Sequence, residues 1–218
     1  MIDHEAQKMP LKEGITLYVV RHGQTDWNKL GRLQGQTDIP INDLGRAQAA
    51  GQGQRLRGAL ADDLDGIDFV SSPLLRTAET MEILREAAGL PRDGYRTDAR
   101  LMEIKYGTWE GAYLSELKAE DPDGYRERNT NKFRWRPTDG ESYADLSERI
   151  AGWLEDVRDD AVVVTHGGVT RVLRGLVSDV DESLIPNQEV PQDRVLVLRS
   201  HDFHWLGDDT ERERPLAR

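Results

Sequence analysis

The chain has 218 residues, no cysteine, and 40 acidic against 29 basic side chains, a net charge of −11. Disulfides and thiolate metal sites are therefore excluded, and the acidic balance opposes nucleic acid and anionic membranes as partners. No apolar run approaches membrane-spanning length, and the length suits one α/β domain with a substantial core.

The first residues, Met1 to Gly14, are polar and mixed in charge, without a signal-peptide core. They read as a loose leader, with the domain spanning 15–207, and the cytoplasm is the default address. Ile15 to Arg21 then predicts a strand, because an apolar, β-branched run stops at Arg21-His22-Gly23. Ligands bind where such strands end. The polar segment Gly23 to Pro40 reads as a long functional loop. Asn42 is placed to cap a helix running from Leu44 to about Leu60, which Gly51 and Gly53 weaken.

Ile67 to Ser71 predicts a short strand, and Ser72 or Pro73 opens a helix with apolar spacing through Leu74, Ala78, Met81, Leu84 and Ala88. Gly89 stops it. Arg76 falls in its first turn, at the end that favours anions. Tyr95 to Leu101 reads as another strand, followed at once by Glu103. A short helix is expected over Tyr113 to Glu120, ending before Pro122. Arg126, Arg128, Lys132, Arg134 and Arg136, interleaved with Tyr125, Phe133 and Trp135, form a basic island in an acidic chain. It reads either as a solvated face or as a lid recognising a second anionic group on a substrate.

Ser142 leads into a helix to about Arg158, with Leu146, Ile150, Trp153, Leu154 and Val157 on one face. Asp160 to Thr165 predicts a second strand ending in His-Gly. The helix Gly168 to Val177 follows, with Arg171 and Arg174 expected on its exposed face. Val195 to Leu198 and Phe203 to Leu206 predict a closing strand pair. His201, Asp202 and His204 read as surface residues rather than metal ligands. The tail Asp208 to Arg218 is highly charged and expected to fray. The alternation of strands and helices argues for one α/β domain.

Arg21, His22, Arg76 and His166 thus fall at strand and helix ends. Guanidinium forks match phosphoryl oxygens, and phosphoryl transfer is catalysed chiefly by positioning and electrostatics. A neutral imidazole attacks phosphorus if one ring nitrogen is free and the other donates to the backbone. One histidine would then be nucleophile and the other a donor to the oxygens. A carboxylic acid such as Glu103 would protonate the leaving oxygen and later activate water, with Glu110 and Glu141 as competitors.

These residues sit in a longer pattern. Arg21-His22-Gly23-Gln24-Thr25-Asp26-Trp27-Asn28, Leu33-Gln34-Gly35, Ser71-Ser72-Pro73 with Arg76-Thr77-Ala78-Glu79-Thr80, Glu103-Ile104 with Tyr106-Gly107-Thr108-Trp109-Glu110-Gly111, Gly140-Glu141-Ser142 and Thr165-His166-Gly167-Gly168-Val169 follow one another in order. Together they resemble the phosphoglycerate-mutase-like histidine phosphatases, over roughly Ile15 to Asn187. The resemblance implies a three-layer α/β/α sandwich on a mostly parallel, mixed sheet. It implies His22 as the phosphohistidine, with Arg21, Arg76 and His166 on the phosphoryl oxygens. Asn28 and Gln34 would line the pocket beside Thr25, Gly35 and Gly167, and Glu103 would move the proton. It implies hydrolysis of a small phosphorylated metabolite without metal or organic cofactor. Two other readings stand beside it: a cofactor-dependent phosphoglycerate mutase using the same residues, and a catalytically silent phospho-ligand-binding module. The short gap between Trp109-Glu110-Gly111 and His166 resembles the phosphatase branch. Gln188 to Asp193 departs from many relatives as an insertion of polar residues. A homodimer could form through the strand pair or the basic island.

Overall fold

The computed structural model describes residues 11–178 and 180–206, the side chain of Asp62 excepted. A six-stranded sheet runs β3-β2-β4-β1-β5-β6, with β1 at Leu17–Arg21, β2 at Asp68–Ser71, β3 at Arg96–Thr97, β4 at Ala161–Thr165, β5 at Val195–Arg199 and β6 at Asp202–Trp205. The first four are mutually parallel, and β5 and β6 are antiparallel to their neighbours. Seven α-helices surround it: α1 at Asp26–Leu30, α2 at Asp43–Leu60, α3 at Leu75–Ala87, α4 at Leu114–Glu120, α5 at Pro122–Thr130, α6 at Tyr143–Asp156 and α7 at Gly167–Val177.

Side chains alternate across a strand, so each central strand feeds two cores. Leu17, Val19, Ala161, Val163, Leu196 and Leu198 pack beneath α6 and α7. Tyr18, Val20, Val162, Val164, Val195 and Val197 pack beneath α2 and α3. All five residues of β4 are buried, which is why it reads as a continuous apolar run. The result is a three-layer α/β/α sandwich on a mixed sheet.

The helix expected from Leu44 to about Leu60 with Asn42 as cap stands as α2, unbroken through both glycines, with Asn42 accepting the Gly45 N–H at 3.0 Å. Gly53 is required there, since a Cβ would lie 2.1 Å from the Leu84 carbonyl oxygen of α3. Several local expectations are corrected. α3 begins at Leu75, later than Ser72 or Pro73, and Leu74 stays extended as its cap. The Tyr95–Leu101 strand shrinks to β3, because Asp98 accepts the Arg100 N–H and turns the chain into a 3-10 helix at Ala99–Leu101.

α1 and α5 carried no periodicity to find. A Thr25–Asn28 capping box makes the first; Asp121, with Pro122 at the first turn, makes the second. Residues 11–14 are not loose: Leu11 is buried in the α6/α7 core, and Lys12 Nζ donates to the carbonyls of Glu155 and Val157. Residues 1–10 and the charged tail lie outside the described residues. Among those described, no helix is long and apolar enough to cross a membrane.

Candidate active site

β1 and β4 are hydrogen-bonded neighbours with Arg21 level with Thr165, so the residues that follow emerge side by side at one sheet edge. The His22 N–H donates to the Thr165 carbonyl at 2.9 Å. The rings of His22 and His166 stand 5.2 Å apart, edge to face. After His22 the chain turns against the start of α2. A Cβ on Gly23 would meet the Gly45 carbonyl oxygen at 2.3 Å, and one on Gly45 would meet the Gln24 oxygen at 2.3 Å. Thr80 of α3 fastens the same turn, accepting the Gly23 N–H at 3.1 Å.

The two imidazoles hold opposite tautomers. His22 Nδ1 lies 2.8 Å from the Gly23 carbonyl, which can only accept. Nδ1 therefore carries the proton and the Nε2 lone pair is left free. For His166, Arg76 Nε donates to Nδ1 at 3.2 Å, so the proton sits on Nε2 and goes to Ser72 Oγ at 2.8 Å. Both of its nitrogens are thus engaged by the protein. The Nε2–H that is expected to reach phosphoryl oxygens is present on this ring, which stands against Arg76. Burial, then the Arg76 and Arg21 charges, holds the His22 pKa well below the usual imidazole range. Burial, Arg76, His22 and Arg21 do the same to His166.

Arg76 is fully buried, and its other nitrogens donate to the carbonyls of Thr37 at 2.9 Å and Gly35 at 2.7 Å. These bonds fasten the loop after β1 over the site. Arg21 NH1 donates to the Val190 carbonyl at 2.8 Å, while its Nε–H is buried and finds no acceptor among the described residues. Burial, then the charge of Arg171, lowers the Arg21 pKa to about 10. The exposed face expected for Arg171 is therefore corrected. It is half-buried, its Nε donates to the Gln188 carbonyl at 2.7 Å, and a Cβ at Gly167 would lie 3.3 Å from its NH1 and 3.5 Å from Arg21 Cζ. The loop Gln188–Pro191 covers this face of α7, which no helical spacing reveals. Arg174 also lies inward, stacked 3.9 Å over the Phe203 ring.

Three carboxylates competed for the proton-transfer role, and their surroundings differ. Glu110 accepts from the N–H groups of Gln36, Thr37 and Tyr106 and from Thr37 Oγ1, a latch on the loop. Glu141 is held bidentately by Arg149 and accepts the Lys105 N–H. Among the described residues Glu103 accepts only backbone N–H groups, from Ile104 at 2.9 Å and Gly168 at 3.0 Å. Its charge is felt by both Arg21 and Arg76. A Cβ on Gly168 would fall 2.4 Å from its Oε1, so this glycine makes room for it at the start of α7.

Thr25, Asn28 and Gln34 form a polar knot beside His22. Thr25 Oγ1 donates to Gln34 Oε1 at 3.0 Å, and Asn28 Oδ1 accepts from the Thr25 N–H. The carbonyl ends of Asn28 and Gln34 are occupied and, among the described residues, their NH₂ ends are not, an arrangement suited to an anion. Gln192, part of the Gln188 to Asp193 insertion but given no role by the sequence, spans His22 and Asn28: its Nε2 donates to the His22 carbonyl at 3.1 Å and to Asn28 Oδ1 at 3.0 Å. Ser72 was likewise present in a motif without a role. Trp109 is buried, with its Nε1–H on Asp121, and Trp27 lies against Gly111.

The basic island is not one surface. Arg126 pairs with Asp123, Arg134 with Glu182 and Arg136 with Asp145; the three arginines are exposed, while Glu182 and Asp145 are half-buried. Arg128 and Lys132 turn inward, toward Tyr106 and Tyr143. The expected lid cations Arg134 and Arg136 are thus already matched by acids.

Residues 17–208 match the Histidine phosphatase superfamily (branch 1). A relative named "Probable phosphoglycerate mutase GpmB" from Shigella dysenteriae is 34% identical over 158 residues, 70% of each chain. The crystal structure of TTHB049 from Thermus thermophilus is 35% identical, with a TM-score of 0.65 over 84% of this chain and 92% of that one. A mycobacterial glucosyl-3-phosphoglycerate phosphatase, solved with VO3, is 28% identical, with a TM-score of 0.71 over 88% and 97%. With two strand-end histidines against a buried arginine, inside this sandwich, the chain belongs to the histidine phosphatase superfamily, branch 1.

Proposed function

We propose that the protein hydrolyses a small phosphomonoester through a phosphohistidine on His22. Family membership supports an enzyme of phosphatase or mutase type. The observation that carries the phosphohistidine reading is the His22 tautomer: a buried neutral ring whose Nδ1–H is fixed on Gly23, with Nε2 free among cationic groups; the likeness to a mycobacterial phosphatase favours water as the acceptor. Nε2 attacks phosphorus with its lone pair, the ester P–O bond breaks, and the leaving oxygen takes a proton from Glu103. Water then attacks the phosphohistidine and gives a proton back to the Glu103 carboxylate. The P–N bond breaks and the lone pair returns to Nε2. Arg21 and Arg76 neutralise the phosphoryl oxygens, with the NH₂ groups of Asn28 and Gln34 as further donors. The Gly23 carbonyl stabilises the charge that Nε2 attack places on the ring.

A mutase retains the phosphoryl group on the same histidine and returns it to another hydroxyl, a reading favoured by the name of the 34%-identical relative. One assay separates the two. With an aryl phosphate in EDTA, the wild type releases phosphate and His22→Ala does not. With 3-phosphoglycerate and its bisphosphorylated primer, hydrolysis yields phosphate and a mutase yields the isomer. Full turnover by His22→Ala would overturn the covalent route.

A further inference from the structure

A second cationic group lies beside the phosphoryl pocket. Arg128 of α5 is only 8% exposed and has no hydrogen-bond or ion-pair partner among the described residues. It lines a narrow cleft with Lys132, Tyr106 and Tyr143. Lys132 Nζ donates to the Pro186 carbonyl at 2.8 Å and to Asn187 Oδ1 at 3.0 Å, which leaves one of its three donors unused. Arg171 reaches the Tyr143 hydroxyl at 3.5 Å and borders Arg21 at Gly167.

Among the described residues none of the three forms an ion pair, and Glu103 acts on Arg171 only through its field. The carboxylate lining the cleft, Glu141, is held by Arg149 and the Lys105 N–H. Burial, then the charges of Arg128 and Arg171, pulls the Lys132 pKa down to about 8. Burial pushes the hydroxyl pKa values of Tyr106 and Tyr143 up, so both remain neutral donors. A largely buried guanidinium without an acceptor is destabilising. In a chain of net charge −11, three crowded cations with no ion-pair partner among the described residues are a feature that an anionic ligand would stabilise.

We propose that Arg128, Lys132 and Arg171, with the hydroxyls of Tyr106 and Tyr143, form a subsite for a second anionic group on the substrate, a carboxylate or a second phosphoryl group. The subsite rests on the phosphoryl-pocket reading above, because Arg171 joins the two by standing beside Arg21. The enzyme then selects short phosphomonoesters that carry another negative charge over neutral ones of equal size. Arg128 is the specificity determinant, since it alone of the three lacks any internal acceptor among the described residues.

The test uses non-hydrolysable probes on the whole chain, by calorimetry. Phosphonoacetate carries the second charge, propylphosphonate is its uncharged match, and methylenebisphosphonate carries a second phosphonate. The wild type is expected to bind at least one doubly anionic probe more tightly than propylphosphonate by about tenfold or more, the size of a charge-assisted hydrogen bond. Which of the two it prefers identifies the second group. Arg128→Met should shrink that ratio to within about twofold, Arg128→Lys should restore part of it, and Arg134→Glu should leave it as in the wild type. Arg128→Met should melt no lower than the wild type, which separates lost recognition from lost folding. A ratio near one in the wild type, or an unchanged ratio in Arg128→Met, overturns the subsite and leaves the phosphatase reading standing. Failure of every phosphonate to bind overturns the phosphoryl pocket itself.

Discussion

His22 and His166 face each other at 5.2 Å as opposite tautomers: Nδ1–H with a free Nε2 in the first, Nε2–H with an occupied Nδ1 in the second. Each is dictated by a neighbour with one hydrogen-bonding option. The Gly23 carbonyl can only accept, and Arg76 can only donate. The pair therefore divides the work. One ring presents a lone pair, and the other presents an Nε2–H beside Arg76.

Ser72 completes that arrangement by accepting the His166 Nε2–H. Ser72→Ala leaves a fully buried donor unpaired, at a cost of about 1–3 kcal/mol. The urea midpoint should fall accordingly. kcat should fall more than KM rises, because the variant disturbs alignment rather than charge. A midpoint equal to that of the wild type would show that the ring finds another acceptor.

Both histidine pKa values are depressed, which sets the sign of the acid response. Below about pH 6.5 the unfolded chain takes up protons that the native state refuses. Their contribution to stability is therefore complete above that pH and is lost as pH falls toward the folded pKa values. Each ring adds a slope of up to about 1.4 kcal/mol per pH unit. Urea midpoints between about pH 6.5 and 5.5 should decline in the wild type, and less steeply in His22→Gln. Flat midpoints across that window would contradict neutral buried rings.

Glu103 and Glu110 are distinguished by leaving group. Glu103→Gln should slow turnover by about 10² to 10⁴, with the larger loss for alkyl esters, whose leaving oxygen needs the proton most. Glu110→Gln weakens the latch on the 35–37 loop and should lower the melting temperature without steepening that dependence. Equal leaving-group slopes in the two variants would remove Glu103 from its role.

Gly23 and Gly45 meet backbone to backbone, whereas Gly58 in the same α2 has nothing within 4 Å of a Cβ. Gly23→Ala or Gly45→Ala should destabilise by about 1–3 kcal/mol, as overpacking does, and should slow turnover by shifting His22. Gly58→Ala should stabilise by about 0.5–1 kcal/mol, through helix propensity. Thermal unfolding of the three variants checks the contrast.

Legibility in the sequence followed the range of the forces involved. β1 and β4 were visible because strands buried on both faces are apolar throughout, and their His-Gly ends marked the site. α1 and α5 were hidden, since single caps rather than periodicity hold them. Arg171 read as solvent-facing because helical spacing knows nothing of the loop at Gln188–Pro191 that folds over it. The insertion holding Gln192 stood out, but its role did not, for the same reason: its partners, His22 and Asn28, lie more than 160 residues away in the chain. The basic island could be counted, but only packing sorted Arg128 and Lys132 from the paired Arg134 and Arg136.

The most direct measurement is rapid quenching in alkali during turnover of a phosphomonoester, followed by identification of the phosphorylated nitrogen. The account predicts an acid-labile, base-stable phosphoryl group on Nε2 of His22, formed and lost at rates compatible with kcat, and absent from His22→Ala. Phosphate found on Nδ1 or on His166, or steady turnover with no phosphoprotein and an active His22→Ala, would contradict it.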